Sequence, residues 1–167
     1  MPTVAESIAA TTSAVEQDAA NAQVVVRTRG HLTNTTQVTL RSNRHEVLVD
    51  EPPALAGDDS APGPVDYAVV ALASCQAITY RFWAEKLGIQ LDDVEVKVDA
   101  DLDLRGFFGL DDSVRPGFSE VRVEVTPIGP ESPERYQELA DAVDGNCPVL
   151  DLFKNTTPVT RKVAVGA

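Results

Sequence analysis

Metal-binding and hydrolytic side chains are scarce in this chain, which has only two cysteines and two histidines. No CxxC pair exists, and His31 and His45 do not complete a zinc-ligand spacing, so a zinc site is excluded. Both histidines fall on strand or turn surfaces, a poor position for the base of a Cys–His hydrolase. "GDDSAPG" and "DLDL" are acid-rich but lack the spacing of a calcium loop, and no glycine-rich phosphate cradle is present. Positive charge is short too: 14 basic residues face 26 acidic ones, for a net charge of −12. Such a surface repels phosphate backbones and anionic lipid, which argues against nucleic-acid or membrane partners.

Long apolar runs are also missing. "YAVVALA" is the longest and is far too short to span a bilayer. "MPTVAESIAATTSAVEQDAANA" lacks the basic start and apolar stretch of a secretory signal, so a cytoplasmic location is expected. In that compartment two cysteines are more often redox-active or catalytic than stapling. A hydrophobic content of 43% with 24% charged residues in 167 residues describes one globular domain able to bury a substantial core.

The chain contains neither an internal repeat nor a low-complexity tract. Residues 1–22 read as an N-terminal helical arm, with a modest alanine-rich helix over 5–20, and 23–167 as a single domain. "QVVVRTR" (23–29), "TQVTLR" (36–41) and "HEVLVDE" (45–51) are short β-branched runs separated by turn residues, the pattern of an antiparallel meander. A loop dense in proline, glycine and aspartate follows at 52–64. From Pro64 to Leu87 the pattern is helical and stops at Gly88. Its first half is apolar on every face, which predicts an interior helix.

"VEVKVDADLDL" (94–104) alternates strictly with period two, and "SEVRVEV" (119–125) repeats the pattern as its antiparallel neighbour. Residues 132–145 form a helix ending at glycine. "CPVLDLF" opens a short helix, and 158–165 reads as a closing strand. The order is βββ–α–ββ–α–α–β, an α+β fold with curved antiparallel sheets around a long central helix.

The two thiols lie 72 positions apart in different settings. Cys75 sits mid-helix among Ala71, Leu72, Ile78 and Thr79, where apolar surroundings raise a thiol pKa and leave it inert unless another element supplies charge or hydrogen bonds. Cys147 precedes Pro148, a residue favoured at the first helical position, which places the thiol at an N-cap. There the N–H groups of Val149 and Leu150 and the helix dipole favour the thiolate. The competing arrangement caps the helix with Asn146 or Gly145 and leaves Cys147 as packing. On local physics Cys147 is the more acidic sulfur.

"DEPPALAGDDSAPGPVDYAVVALASCQAITYRFWAEKLG", followed far downstream by "NCPV", resembles the OsmC/Ohr family of osmotically inducible and organic hydroperoxide resistance proteins. The likeness runs from about residue 23 to 165 and is most specific at "ALASCQAIT" and "CPV". The resemblance implies an intertwined homodimer and a cofactor-free thiol peroxidase that reduces organic hydroperoxides to alcohols. Cys75 would attack the peroxide and become a sulfenic acid, and Cys147 would resolve it as an intramolecular disulfide. A dithiol reductant, in this family often a lipoylated protein, would reset the pair.

The resemblance further implies an activating arginine from the early strands and a glutamate before the central helix. Arg27, Arg29, Arg41 and Arg44 are available, Arg81 beyond the cysteine is a further candidate, and Arg29, next to Gly30, is the choice among them. The glutamate position falls at Val65, and the nearest acid is Asp66, which also suits the helix N-terminus. Phe107, Phe108 and Phe118 form either a satellite core or, with Thr79, the rim of an apolar substrate pocket. A noncatalytic OsmC-like module that binds a small apolar ligand is the alternative.

Overall fold

A computed structural model describes residues 1–166. The N-terminal helix α1 (Val4–Gln17) starts at a capping box, in which the Thr3 hydroxyl accepts from the Glu6 N–H and the Glu6 carboxylate accepts from the Thr3 N–H. A meander follows: β1 (Thr28–Leu32), β2 (Val38–Ser42) and β3 (His45–Val49) pair antiparallel in sequence order. Its register sets Arg29 opposite Arg41 and Leu40 opposite Val47. The first strand begins five residues later than expected. Val24, Val25 and Val26 are exposed and outside the sheet, because none of the described residues lies alongside them to pair with.

The central helix α2 (Pro64–Leu87) has the expected bounds. Pro64 fits the first turn, where no amide hydrogen is needed, and Gly88 closes the helix in the left-handed conformation at φ 60°. The strands β4 (Asp93–Asp101) and β5 (Glu120–Ile128) form a separate antiparallel pair, with Val96 opposite Val125 and Val98 opposite Val123. Exposure alternates residue by residue along β4, as its period-two sequence requires. A single turn, α3 (Leu104–Phe107), lies in their connection, and α4 (Pro133–Asp144) and α5 (Pro148–Lys154) complete the chain.

α2 packs against β4, α4 and α5. The core they enclose joins Tyr80 and Ala84 of α2 to Leu139 and Val143 of α4, with Ile89, Leu91 and Cys147. Leu72, Leu139 and Val143 are completely buried.

Two expectations are corrected. Residues 158–165 form no strand and are exposed, since a strand needs a neighbouring edge and none lies beside them among the described residues. α2 is not interior on all sides either. Val70, Ile78 and Phe82, spaced along one stripe with Ser74, remain exposed, so a single chain buries only part of this apolar helix.

The meander is attached to α2 through its last strand. The Tyr67 hydroxyl donates to the Leu48 carbonyl at 2.7 Å, and the Asp50 N–H donates to the Pro62 carbonyl at 3.3 Å. Asp50 is the hub of this junction. Its carboxylate accepts from the Thr36 hydroxyl at 2.8 Å, the Ser60 hydroxyl at 2.8 Å, and the N–H groups of Glu51, Asp58 and Ser60. The loop passes so close to itself that a Cβ on Gly57 would stand 1.7 Å from the Glu51 carbonyl oxygen. Only glycine fits there.

Candidate functional site

The fold brings the two sulfurs together. Cys75, half-buried on α2, packs against the cluster that contains the buried Cys147, near enough for its sulfur to act on the Cys147 thiol. Thr79, one turn beyond Cys75 on the same face, donates its hydroxyl to the Cys75 carbonyl at 2.7 Å and lies near enough to Cys147 to favour its thiolate. It has one proton to give, so serving a thiolate at Cys147 means releasing the Cys75 carbonyl.

Cys147 occupies the N-cap of α5 with Pro148 as the first helical residue, as its sequence implies. The Leu150 N–H faces the sulfur without forming a full capping bond. The lowering expected at Cys147 is nonetheless overturned. Burial pushes the Cys147 thiol up and the neighbouring Cys75 sulfur adds to this, while Leu150 and Thr79 pull down too weakly to prevail. Removing an anion from water outweighs one cap and one hydroxyl in a site only 2% exposed. Cys147 also underlies a surface cleft of ≈ 640 Å³ bordered by Asp144, Asp151 and Lys154.

The remaining expected site residues are dispersed within one chain. Arg29 is exposed on β1 opposite Arg41, in a sheet that does not pack against the thiol-bearing part of α2. Asp66 is a helix-start residue whose carboxylate accepts from the Gly63 N–H at 2.9 Å. Nine residues of helix place it about 13 Å along the axis from Cys75. Arg81 is committed elsewhere, donating to the carbonyls of Leu91 and Asp92. Phe107 and Phe108 are exposed and meet edge to face, their centroids 4.9 Å apart. Phe118 alone of the three enters a cavity, stacked on Phe153 at 6.2 Å.

That cavity, ≈ 510 Å³, lies between α2, β5 and α5 and is walled by Ala68, Leu72, Phe118, Val121 and Phe153. It shares Val123, Leu150 and Lys154 with a second cavity of ≈ 300 Å³, to which Gln76, Tyr80, Val125 and Asp144 contribute. Burial, with Asp144 and Asp141 nearby, holds the Tyr80 phenol protonated, its pKa pushed up to about 12. Sequence reasoning passed over Gln76 and Lys154. The available signal was a lone amide, Gln76, within the otherwise small and apolar run "ALASCQAI".

Fold and site together define an α+β domain with a dithiol pair joining its central helix to a late short one. The OsmC-like protein family model matches residues 57–162. The chain belongs to that family. No curated protein matches it.

Among solved structures it is similar to an OsmC-like protein from Mycoplasma pneumoniae, with 18% identity over 79% of this chain and 89% of that one, at a TM-score of 0.69. It is also similar to an organic hydroperoxide resistance protein OsmC from Legionella pneumophila, with 16% identity over 78% and 90%, at a TM-score of 0.61. A third is an organic hydroperoxide resistance protein from Elizabethkingia anophelis, with 16% identity over 79% and 89%, also at 0.61. At these identities the likeness establishes the fold.

Proposed function

We propose that this protein is a two-cysteine thiol peroxidase that reduces organic hydroperoxides to alcohols. The observation that supports the reading is the packing of Cys75 against the core cluster that holds Cys147, residues 72 positions apart in sequence. Membership of the OsmC-like family and the likeness to two organic hydroperoxide resistance proteins support it.

In the reaction, the Cys75 thiolate attacks the terminal peroxide oxygen. The O–O bond breaks, and the alkoxide leaves with a proton as the alcohol. Cys75 is then a sulfenic acid. Cys147 attacks its sulfur, an S–S bond forms, and the hydroxyl departs as water. A dithiol reductant, such as a lipoylated protein, returns both cysteines to thiols by exchange. The two cysteines suffice for this sequence, and no cofactor enters it.

The working unit is a homodimer in the cytoplasm, supported by the uncovered stripe on α2 and by the absence of any helix long and apolar enough to cross a membrane among the described residues. Residues 1–22 act as an arm of the domain formed by 23–167. In the dimer, Arg29 and Asp66 of either subunit join the charged groups near the thiols, and Phe107, Phe108, Phe118 and Thr79 border the substrate.

A second reading, a noncatalytic module that binds a small apolar ligand, is favoured by one observation: within a chain, Arg29, Arg81 and Asp66 are all placed or engaged away from Cys75. Stopped-flow mixing of reduced protein with cumene hydroperoxide separates the two readings. A peroxidase consumes one equivalent per subunit in a burst and gains one internal disulfide, read as a 2 Da mass loss under the two-proton stoichiometry. Cys147→Ser stops at a Cys75 sulfenic acid that a dimedone probe traps. Unchanged thiols after peroxide would establish the binding module.

A further inference from the structure

To resolve an oxidised Cys75, the buried Cys147 must shed its proton, and burial works against the anion. Its surroundings offer little help. The start of α5 gives the sulfur no full capping bond. Asp144, Asp151 and Lys154 stand exposed around the cleft above it, where water and salt screen them. On α2, Cys75 and Tyr80 are the titratable neighbours, and the Tyr80 phenol lines the cavity it shares with Asp144.

Among the described residues the buried polar side chains are Asp50, Gln76 and Thr79. Asp50 is engaged at the β3–α2 junction. Gln76 Nε2 has no hydrogen-bond partner, so it does not serve the sulfur. Thr79 remains, 8% exposed and on the helix that packs against α5.

The present use of the Thr79 proton is dispensable. Its hydroxyl donates to the Cys75 carbonyl, but in the regular ladder of α2 that carbonyl also accepts the Thr79 backbone N–H. The carbonyl therefore stays paired when the hydroxyl turns away. A hydroxyl proton rotates about its C–O bond to suit the acceptor at hand.

We propose that the Thr79 hydroxyl governs the resolving step, resting on the Cys75 carbonyl while both cysteines are thiols and turning to the Cys147 sulfur as it attacks the Cys75 sulfenic acid. This role rests on the peroxidase reading. In the step, the Cys147 S–H bond breaks and its sulfur forms the S–S bond. The S–O bond of the sulfenic acid breaks, and the departing hydroxide takes up the Cys147 proton as water. Cys147 is oxidised and Cys75 reduced. Thr79 keeps its own proton and lends a hydrogen bond to the anion while that anion lasts.

The test mixes full-length, reduced protein with cumene hydroperoxide in quenched flow and counts alkylatable thiols by mass spectrometry. Loss of the first thiol reports oxidation, and loss of the second reports the disulfide. Valine keeps the shape of Thr79 without its hydroxyl, and serine keeps the hydroxyl without the methyl. Thr79→Val should slow the second loss about 3- to 10-fold, because a hydrogen bond to an anion exceeds the neutral one given up, while the less basic thiolate is a weaker nucleophile. Thr79→Ala should be slow as well, and Thr79→Ser should resolve at close to the wild-type rate.

A second loss as fast in Thr79→Val as in wild type overturns the proposal and leaves the peroxidase reading intact. Resolution as slow in Thr79→Ser as in Thr79→Val overturns it too, since packing rather than the hydroxyl is then at stake. Wild-type protein that loses neither thiol overturns both. Should valine prevent folding, the alanine and serine variants decide.

Discussion

Cys147, at the N-cap of α5, belongs to the core cluster against which Cys75, midway along α2, packs, and the Thr79 hydroxyl donates to the Cys75 carbonyl beside it. Two elements far apart in the chain are thereby positioned for a covalent link. Closing a loop of this length removes unfolded-state entropy worth about 4 kcal/mol. Peroxide-oxidised protein should accordingly unfold at a higher urea concentration than reduced protein. Cys147→Ser should abolish the difference.

Thr79→Val tests the hydroxyl. With Cys75 replaced by alanine, absorbance at 240 nm reports the Cys147 thiolate alone. Burial should hold its titration above the ordinary thiol value of about 8.5, and Thr79→Val should move it higher still. The sign for stability follows: a thiol harder to ionise when folded than when unfolded makes the protein less stable as pH climbs above that ordinary value. A midpoint at or below it would mean that the helix N-terminus prevails over burial.

The uncovered face of α2 can be tested directly. Val70 is 53% exposed and Ile78 60% exposed, both apolar and on one stripe. If the proposed homodimer uses this face, wild-type protein runs as a dimer and Ile78→Lys as a monomer in size-exclusion chromatography with light scattering. A substitution on the wet face of β4, such as Glu95→Lys, should leave assembly unchanged.

Asp50 should set the acid limit of the β3–α2 junction. Hydrogen bonds from Thr36, then from Ser60 and the Glu51 amide, hold its carboxyl well below the usual carboxylate range against the opposing effect of burial. A carboxylate with a depressed folded pKa contributes stability that is complete above its unfolded value, about 3.9, and is lost as pH falls toward the folded one. Asp50→Asn cannot accept the same five hydrogen bonds. It should lower Tm at pH 7 and flatten the decline of Tm between pH 5 and 3, both measured by calorimetry.

Much of the fold was legible where one physical signal dominated. β4 and β5 announce themselves because each has one wet face, so charge alternates with valine. α2 is bounded by Pro64 and Gly88, residues whose backbone preferences leave little choice. The ends of the chain were not legible for a corresponding reason. Val24–Val26 and residues 158–165 have strand composition, but a strand exists only where a neighbour offers hydrogen bonds, and composition does not record neighbours.

The site divides in the same way. The "CPV" signature located Cys147 at a helix start, a local property. Its acidity depends on how much protein closes over it, which only the folded chain determines. The unpaired state of Gln76 is likewise a fact of packing. The wide separation of Arg29 and Asp66 from Cys75 follows from strand register and helix rise.

Arg81 fixes which half of the thiol pair yields. By holding the carbonyls of Leu91 and Asp92, it rivets the thiol-bearing helix to the turn that feeds β4. Any travel the sulfurs need is thus borne by α5, seven residues long. One cysteine is mounted on the frame and the other on a short lever, so exchange between the reduced and oxidised states need not disturb the frame.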